Sequence, residues 1–237
     1  IRSRQFQLAV LIKLILMGLF SSEYSTLLFQ PFVSDFVNHS FKNPYDLYLH
    51  GNRFLDAFPY HSLMLFLLAP FSFVSGIAGW EGLFDLPLFL ADLSILFILL
   101  KFFPSKEKRV FYFYYLNPIV IYSVYIHAQL DIIPTALLFA TIYYLKTAEL
   151  RWSALFLGLS LATKFHVVIA VPLLVFYLYK QKDLRAAIEY FIIAFSILVV
   201  IDLPYLFSEG FLRMVLQNPK QTLLFDTFYS IGSVRFL

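Results

Sequence analysis

The sequence predicts an all-α protein, a polytopic bundle of transmembrane helices with an amphipathic extracytoplasmic loop after the first helix. Three observations predict it. Of 237 residues, 60% are apolar and 20% aromatic while only 14% are charged, against about a quarter charged in soluble domains. The apolar residues fall in blocks of about 20, the length at which a helix crosses hydrocarbon. The blocks lack the strict alternation of a barrel strand, and lipid offers no partner to a backbone that does not bond itself, which leaves helices.

The same composition excludes several function classes. No stretch of residues 1–237 has the length and polarity of a separate soluble catalytic domain, so the chain reads as a single transmembrane domain. A net charge of +3, with Lys and Arg scattered through short connections, gives no footprint for nucleic acid. The lack of cysteine excludes disulfides, thiolate catalysis and Cys-ligated metals.

Residues 8–20 form the first span, preceded by Arg2 and Arg4. Residues 21–59 follow as a surface loop. Aromatics mixed with Glu23, Asp35, Asp46, Arg53 and Asp56 are too polar to span and too apolar to float free, as in short amphipathic helices lying on a membrane. The helical bundle occupies 60–205. Within it 63–74 is a second span, announced by Phe58-Pro59-Tyr60, and 83–103 a third, closed by Lys101, Lys106, Lys108 and Arg109. Residues 111–126 and 130–145 are a fourth and fifth, separated by His127-Ala128-Gln129. Residues 152–179 are too long for one span and carry Lys164 and His166 midway. Two helices meeting at Thr163-Lys164 keep that cation out of hydrocarbon. Residues 188–203 are the last span, and 206–237 an aromatic, extramembrane tail. The chain opens at Ile1 and stops at Leu237 in a half-polar stretch, as a piece of a longer chain leading to further spans would.

Basic clusters at 106–109, 146–151 and 180–185 ask to be cytoplasmic, which puts His127 to Asp131, Lys164 and the tail on the far side. Arg2 and Arg4 also ask to be inside, yet two full crossings before Trp80 would put Lys106 outside. Either the segment after Pro59 does not fully cross, or the surface loop hides a crossing.

Ionisable groups at membrane depth are expensive, so those that remain are functional candidates. His127 and Asp131 lie four apart on one helix face with Gln129 between them, offering an imidazole, a carboxylate and an amide at a lumenal mouth. The structural alternative is a polar helix start capped by Asp131. Lys164 and His166 need a partner from elsewhere. A lipid phosphate suits a compact cation with three donors, and the structural alternatives are snorkelling or an ion pair with Asp92, Asp131 or Asp202. Asp92 and Asp202 read as structural. The loop holds Glu23, Asp35, Asp46 and Asp56 beside Lys42, Arg53, His50 and His61, where an acid has the chemistry of a general base or is merely a solvated charge. The five histidines show no metal-ligand spacing, although a divalent cation on carboxylates is compatible with the acids present.

Asn117-Pro118, His127-Ala128-Gln129-Leu130-Asp131, Leu157-Gly158-Leu159, Ala162-Thr163-Lys164 and Pro172-Leu173-Leu174 occur in that order with short spacings. Together they resemble the multi-span GT-C glycosyltransferases that use polyprenyl-phosphate sugars, especially the branch similar to GPI-anchor mannosyltransferases. Ser22-Glu23-Tyr24, Gln30-Pro31-Phe32, Asn43-Pro44-Tyr45 and Phe58-Pro59-Tyr60 resemble the first extracytoplasmic loop of that group. The resemblance implies an acid of that loop as catalytic base, at Glu23 or Asp35. The matching position holds Glu where members usually carry Asp, and His61 stands where they carry a second Pro.

A lipid-borne donor also fits the chain physically, because a nucleotide-sugar enzyme needs a soluble α/β domain that is missing here. The expected activity is inverting transfer of a mannose-like hexose from a polyprenyl-phosphate donor to a lipid or glycan acceptor, on the extracytoplasmic face of an integral membrane protein. No cofactor is required. Glu23 or Asp35 would take the proton, Lys164 with His166 or Arg53 would hold the leaving phosphate, and His127, Gln129 and Asp131 would line the donor site. The competing expectations are a transporter or lipid flippase, and a non-catalytic membrane subunit of a glycan-assembly complex.

Overall fold

The structure is a computed structural model that describes residues 4–20, 22–51, 53–218, 229–231 and 234–236. Arg2 and residues 219–228 of the tail therefore lie outside the described residues. What is described is helical, apart from connecting turns and one antiparallel pair, Tyr229–Ile231 with Val234–Phe236. Among the described residues two helices are long and apolar enough to cross a membrane, Glu81–Phe102 and Leu184–Asp202, each with a mean hydropathy of 2.2. Ser62–Ala78, Ile132–Lys146, Leu150–Leu161 and Phe165–Gln181 are apolar but shorter.

Helix α1 covers Arg4–Leu19, and a π-helical turn Ser25–Phe29 leads into α2, Gln30–Asn38, with Pro31 in its first turn. Helix α3, Pro44–His50, starts where Asn43 accepts from the backbone N–H of Tyr45 and Asp46. Helix α4, Ser62–Ala78, ends at Gly79, whose φ of 65° gives the left-handed turn that glycine supplies without strain. Helix α5 is Leu86–Phe102. The stretch read as a fourth span is bent rather than straight. Helix α6, Glu107–Val110, and its π-turn Phe111–Tyr115 stop before Asn117, which precedes a proline and is extended, and α7, Pro118–Ile121, begins a new direction. Helices α8, Ile132–Lys146, and α9, Leu150–Leu161, follow.

After α9 the chain breaks as its charge pattern requires. Lys164 is extended, with φ −154° and ψ 136°, before a 3-10 stretch Phe165–Ile169 and α10, Ala170–Gln181. Helix α11, Leu184–Asp202, and the short α12, Glu209–Phe211, complete the set.

Named contacts fix the directions of these helices. The ring of Phe102 lies 5.6 Å from that of Tyr143, so α5 and α8 end together. Ser160 Oγ donates to Pro134 O at 2.9 Å and Ser153 Oγ to Thr141 O at 2.8 Å, so α9 runs back along α8. Ser153 also meets the Tyr190 hydroxyl at 2.9 Å, so α11 starts where α9 starts. Gln5 and Phe6 share a cavity with Leu96, Leu100 and Lys108, while Gly18 faces Trp80, so α1 runs opposite to α5. One end of the bundle consequently collects Arg4 and the basic residues around 101–109, 146–151 and 180–185. The other collects the end of α1, the starts of α5 and α8 and the ends of α9 and α11.

Helix α4, the segment expected to be a second span, has both ends at this second end of the bundle. At its start His61 N donates to Thr163 O at 3.0 Å, Leu63 N to Ala162 O at 3.1 Å and Ser62 N to Asp202 Oδ1 at 3.0 Å. N–H groups that a helix start leaves without partners thus satisfy carbonyls that the end of α9 leaves without partners. At the far end of α4, Gly79 and Trp80 adjoin Met17 to Phe20. Between them Phe66 packs on Phe36 of α2 and on Tyr205, at 6.2 and 6.1 Å between rings. Helix α4 therefore lies across that end instead of running through the bundle beside α5. Its first half is buried there through Met64, Leu65 and Leu68, while Phe73, Val74 and Ile77 of its second half stay exposed.

Gly158, from the Leu157-Gly158-Leu159 motif, has a packing reason. A Cβ there would sit 2.5 Å from Ala194 O and 2.8 Å from Ile197 Cβ of α11, whereas one at Gly76 would meet nothing within 4 Å. Gly158→Ala should therefore lose about 1–3 kcal/mol of stability by overpacking, while Gly76→Ala gains about 0.5–1 kcal/mol from helix propensity. Thermal unfolding of the two variants in detergent checks the opposite signs, and equal midpoints would refute the close approach of α9 and α11.

Candidate functional site

The end of the bundle that carries α4 is built largely of aromatic rings. Phe32 stacks on Phe58 at 4.6 Å, Phe58 meets Tyr60 at 5.1 Å and Phe29 meets Tyr60 at 5.5 Å. The Tyr45 hydroxyl donates to Tyr60 O at 2.9 Å and holds the strand of chain ahead of α4 in place. Burial, with the Asp131 carboxylate adding to it, raises the Tyr60 phenol well above its ordinary value, so it stays protonated.

On this platform stands Lys164. Its Nζ lies 5.1 Å over the Tyr60 ring and 2.6 Å from Asp131 Oδ1, with the two side chains 22% and 40% exposed. The pair is thus open to the surroundings. Its geometry is also the structural ion pair expected as an alternative to phosphate binding. Asp131 precedes α8 but makes no side-chain cap bond, so the capping role does not hold: the carboxylate turns to Lys164. His166, exposed on the 3-10 stretch, lies within electrostatic reach of both charges. His127 sits between two rings, stacked on Tyr122 at 6.0 Å and edge-on to Tyr24 at 5.9 Å. Gln129, half-buried, binds through its backbone N–H to Ser123 O at 2.9 Å, and Ala128 before it has φ 50°.

The loop acids differ from one another. Glu23 is exposed, next to the Tyr24 that touches His127, and has no ion pair among the described residues. Asp35 is engaged: Arg53 donates to its Oδ2, and His39 Nδ1 lies 4.0 Å from its Oδ1. Arg53 in turn lies 4.8 Å over the Tyr48 ring. Asp46 accepts from Gly210 N at 2.8 Å and from Asn43 at 2.7 Å, tying α3 to α12. His61 and Asp202 form a buried pair, Nδ1 to Oδ2 at 2.6 Å, beneath Phe211. Lys164, Asp131 and His166 are therefore gathered at one place, His127 stands four residues before Asp131 against Tyr24, the neighbour of Glu23, and Asp35 with Arg53 lies at the far side of the aromatic platform.

Motif reading quotes Tyr24 and Tyr60 without giving them a role and passes over Tyr122, because aromatics are dense throughout the chain. It also passes over Lys13, although a lysine in the middle of an apolar helix is a signal. Lys13 Nζ lies 2.7 Å from Asp92 Oδ2, both side chains essentially sealed, and Asp92 accepts further from the hydroxyls of Tyr114 and Tyr125 at 2.8 and 2.6 Å. Among the described residues no three His, Cys, Asp or Glu side chains converge as a metal cage would need. No protein-family model matches the chain, and no curated protein or solved structure matches it.

Proposed function

We propose that this chain is a polytopic membrane enzyme, an inverting glycosyltransferase that moves a mannose-like hexose from a polyprenyl-phosphate donor to a lipid or glycan acceptor. The observation that carries the reading is Lys164, held open over Tyr60 beside Asp131 and His166, at the same end of the bundle as His127, Glu23 and Arg53. Two helices long enough to span, and outward apolar side chains such as Leu173, Ile192 and Val200, support burial in a bilayer. Because α4 lies across one end, every basic cluster and Arg4 falls at the opposite end, which by the positive-inside tendency is cytoplasmic. On this reading Lys164 and Glu23 face the extracytoplasmic side.

The chemistry is a direct displacement. The acceptor oxygen bonds to the anomeric carbon as the bond from that carbon to the phosphate oxygen breaks, and the polyprenyl phosphate leaves with the electron pair. Glu23 takes the acceptor's proton. Lys164, released from Asp131, meets the phosphate with help from His166 or Arg53, and Asp131 holds the cation in place until donor arrives.

The test is transfer from a labelled polyprenyl-phosphate mannose by the protein in vesicles supplied with lipid acceptors. Lys164→Ala should weaken donor binding about 10–100-fold, the effect of losing one hydrogen bond to a charged group, and depress turnover with it. Movement of the labelled lipid across the bilayer without transfer would replace this reading by a transporter. Neither transfer nor movement, with the donor unbound, would leave a scaffold subunit.

A further inference from the structure

A second polar site lies between the end of α1, the end of α4 and the start of α5. Met17 to Phe20, Gly79 to Gly82 and Asp85 enclose a cavity of about 300 Å³ there. Asp85 is 3% exposed and yet has no basic side chain beside it among the described residues. Its Oδ1 accepts from Ser25 Oγ at a long 3.3 Å, and that hydroxyl is shared with Gln30 Nε2 at 3.3 Å. Its Oδ2 has no hydrogen-bond partner among the described residues, and the side chain borders the cavity. A buried carboxylate so poorly compensated is costly unless it takes up a proton or a positive charge joins it.

The charged side chains of the lining all have the same sign, against the positive dipole end that the start of the helix Glu81–Phe102 brings there. Helices α1 and α4 both end at this cavity, and the carbonyls of a helix's last turn lack intrahelical partners and carry the negative end of its dipole. Glu81 adds a second carboxylate at the rim, and none of the lining residues is Lys, Arg or His. Hard cations take such mixtures of carboxylate and backbone oxygens.

We propose that this cavity is a cation site, with Asp85 as its central anionic ligand and backbone oxygens of the end of α1 and of the Gly79–Gly82 turn completing the shell. It stands apart from the Lys164 cluster, and it does not rest on the transferase reading. A protein that transfers no sugar would still bind the ion.

Trp80 on the cavity wall provides the probe. Terbium titrated into chelator-stripped protein in detergent should give a saturable luminescence on excitation of tryptophan. Trp80→Phe should abolish that signal, and Trp152→Phe, at the opposite end of the bundle, should leave it. Asp85→Asn, which keeps size and the Ser25 contact, should weaken binding at least tenfold, and Asp35→Asn should not change it. Competition by calcium or magnesium assigns a divalent site, and competition by sodium or potassium alone a monovalent one. Absence of a saturable signal through Trp80 in the parent protein overturns the proposal even if Asp85→Asn fails to fold, and so does undiminished binding in Asp85→Asn.

Discussion

Asp92→Leu should destabilise the protein by about 3–5 kcal/mol, because it strands the ammonium of Lys13 in the bundle with no carboxylate to meet it. Lys13 is 1% and Asp92 0% exposed at the side chain, and their 2.7 Å contact joins α1 to α5 at mid-length. The carboxylate also organises Tyr114 and Tyr125, and the ammonium lies 3.3 Å over the ring of Tyr115, so one substitution leaves several groups without partners. Lys13→Met should cost a similar amount by leaving the anion alone. The double variant Lys13→Met/Asp92→Leu removes both charges together and should regain most of the loss, since a buried pair exchanged for apolar groups is often close to neutral. Denaturant titration of the four proteins in detergent measures the coupling. Single variants as stable as the parent, or a double variant that loses the sum of the two, would show that the pair does not hold α1 in place.

Glu23→Gln should depress sugar transfer about 10²–10⁴-fold while donor binding stays nearly constant, since a general base is needed only as the acceptor hydroxyl attacks. The substitution keeps the side chain's size, and Glu23 has no ion pair among the described residues to lose. Asp35 is the competitor. Its carboxylate is already committed to Arg53, and Asp35→Asn would free that guanidinium as well as remove a base. A fall in turnover confined to Asp35→Asn would transfer the role to Asp35, and full transfer by both variants would mean that neither acid is the base. The contrast with Lys164→Ala is one of kind: the phosphate is anionic before and during transfer, so loss of Lys164 is felt in binding as well as in rate.

Parts of the candidate site were legible because their signals are local. His127 and Asp131 are four residues apart, although the chain breaks between them at Ala128 and does not keep them on one helix face as expected, and Lys164 announces a chain break because a cation inside an apolar stretch has few places to go. Which partner each residue finds was not legible. Lys164 could equally have met Asp92, Asp131 or Asp202, and the fold gives it Asp131, 33 positions away, because α9 returns along α8 and delivers its end to the start of α8. Asp92 goes instead to Lys13, 79 positions away, and Asp202 to His61. The cavity at Asp85 is still less visible in the chain, since it exists only where three helix ends meet.

By itself the sequence determined the helical class, the long apolar runs and the interruption at Thr163-Lys164. Composition, run length and misplaced charge act on the chain independently of its neighbours. Tertiary structure decided the fate of α4. An apolar run of 17 residues satisfies the same hydropathy whether it crosses lipid or lies beneath an aromatic loop. What settles it is that its first N–H groups find the last carbonyls of α9 and the carboxylate of Asp202, all at one end of the bundle.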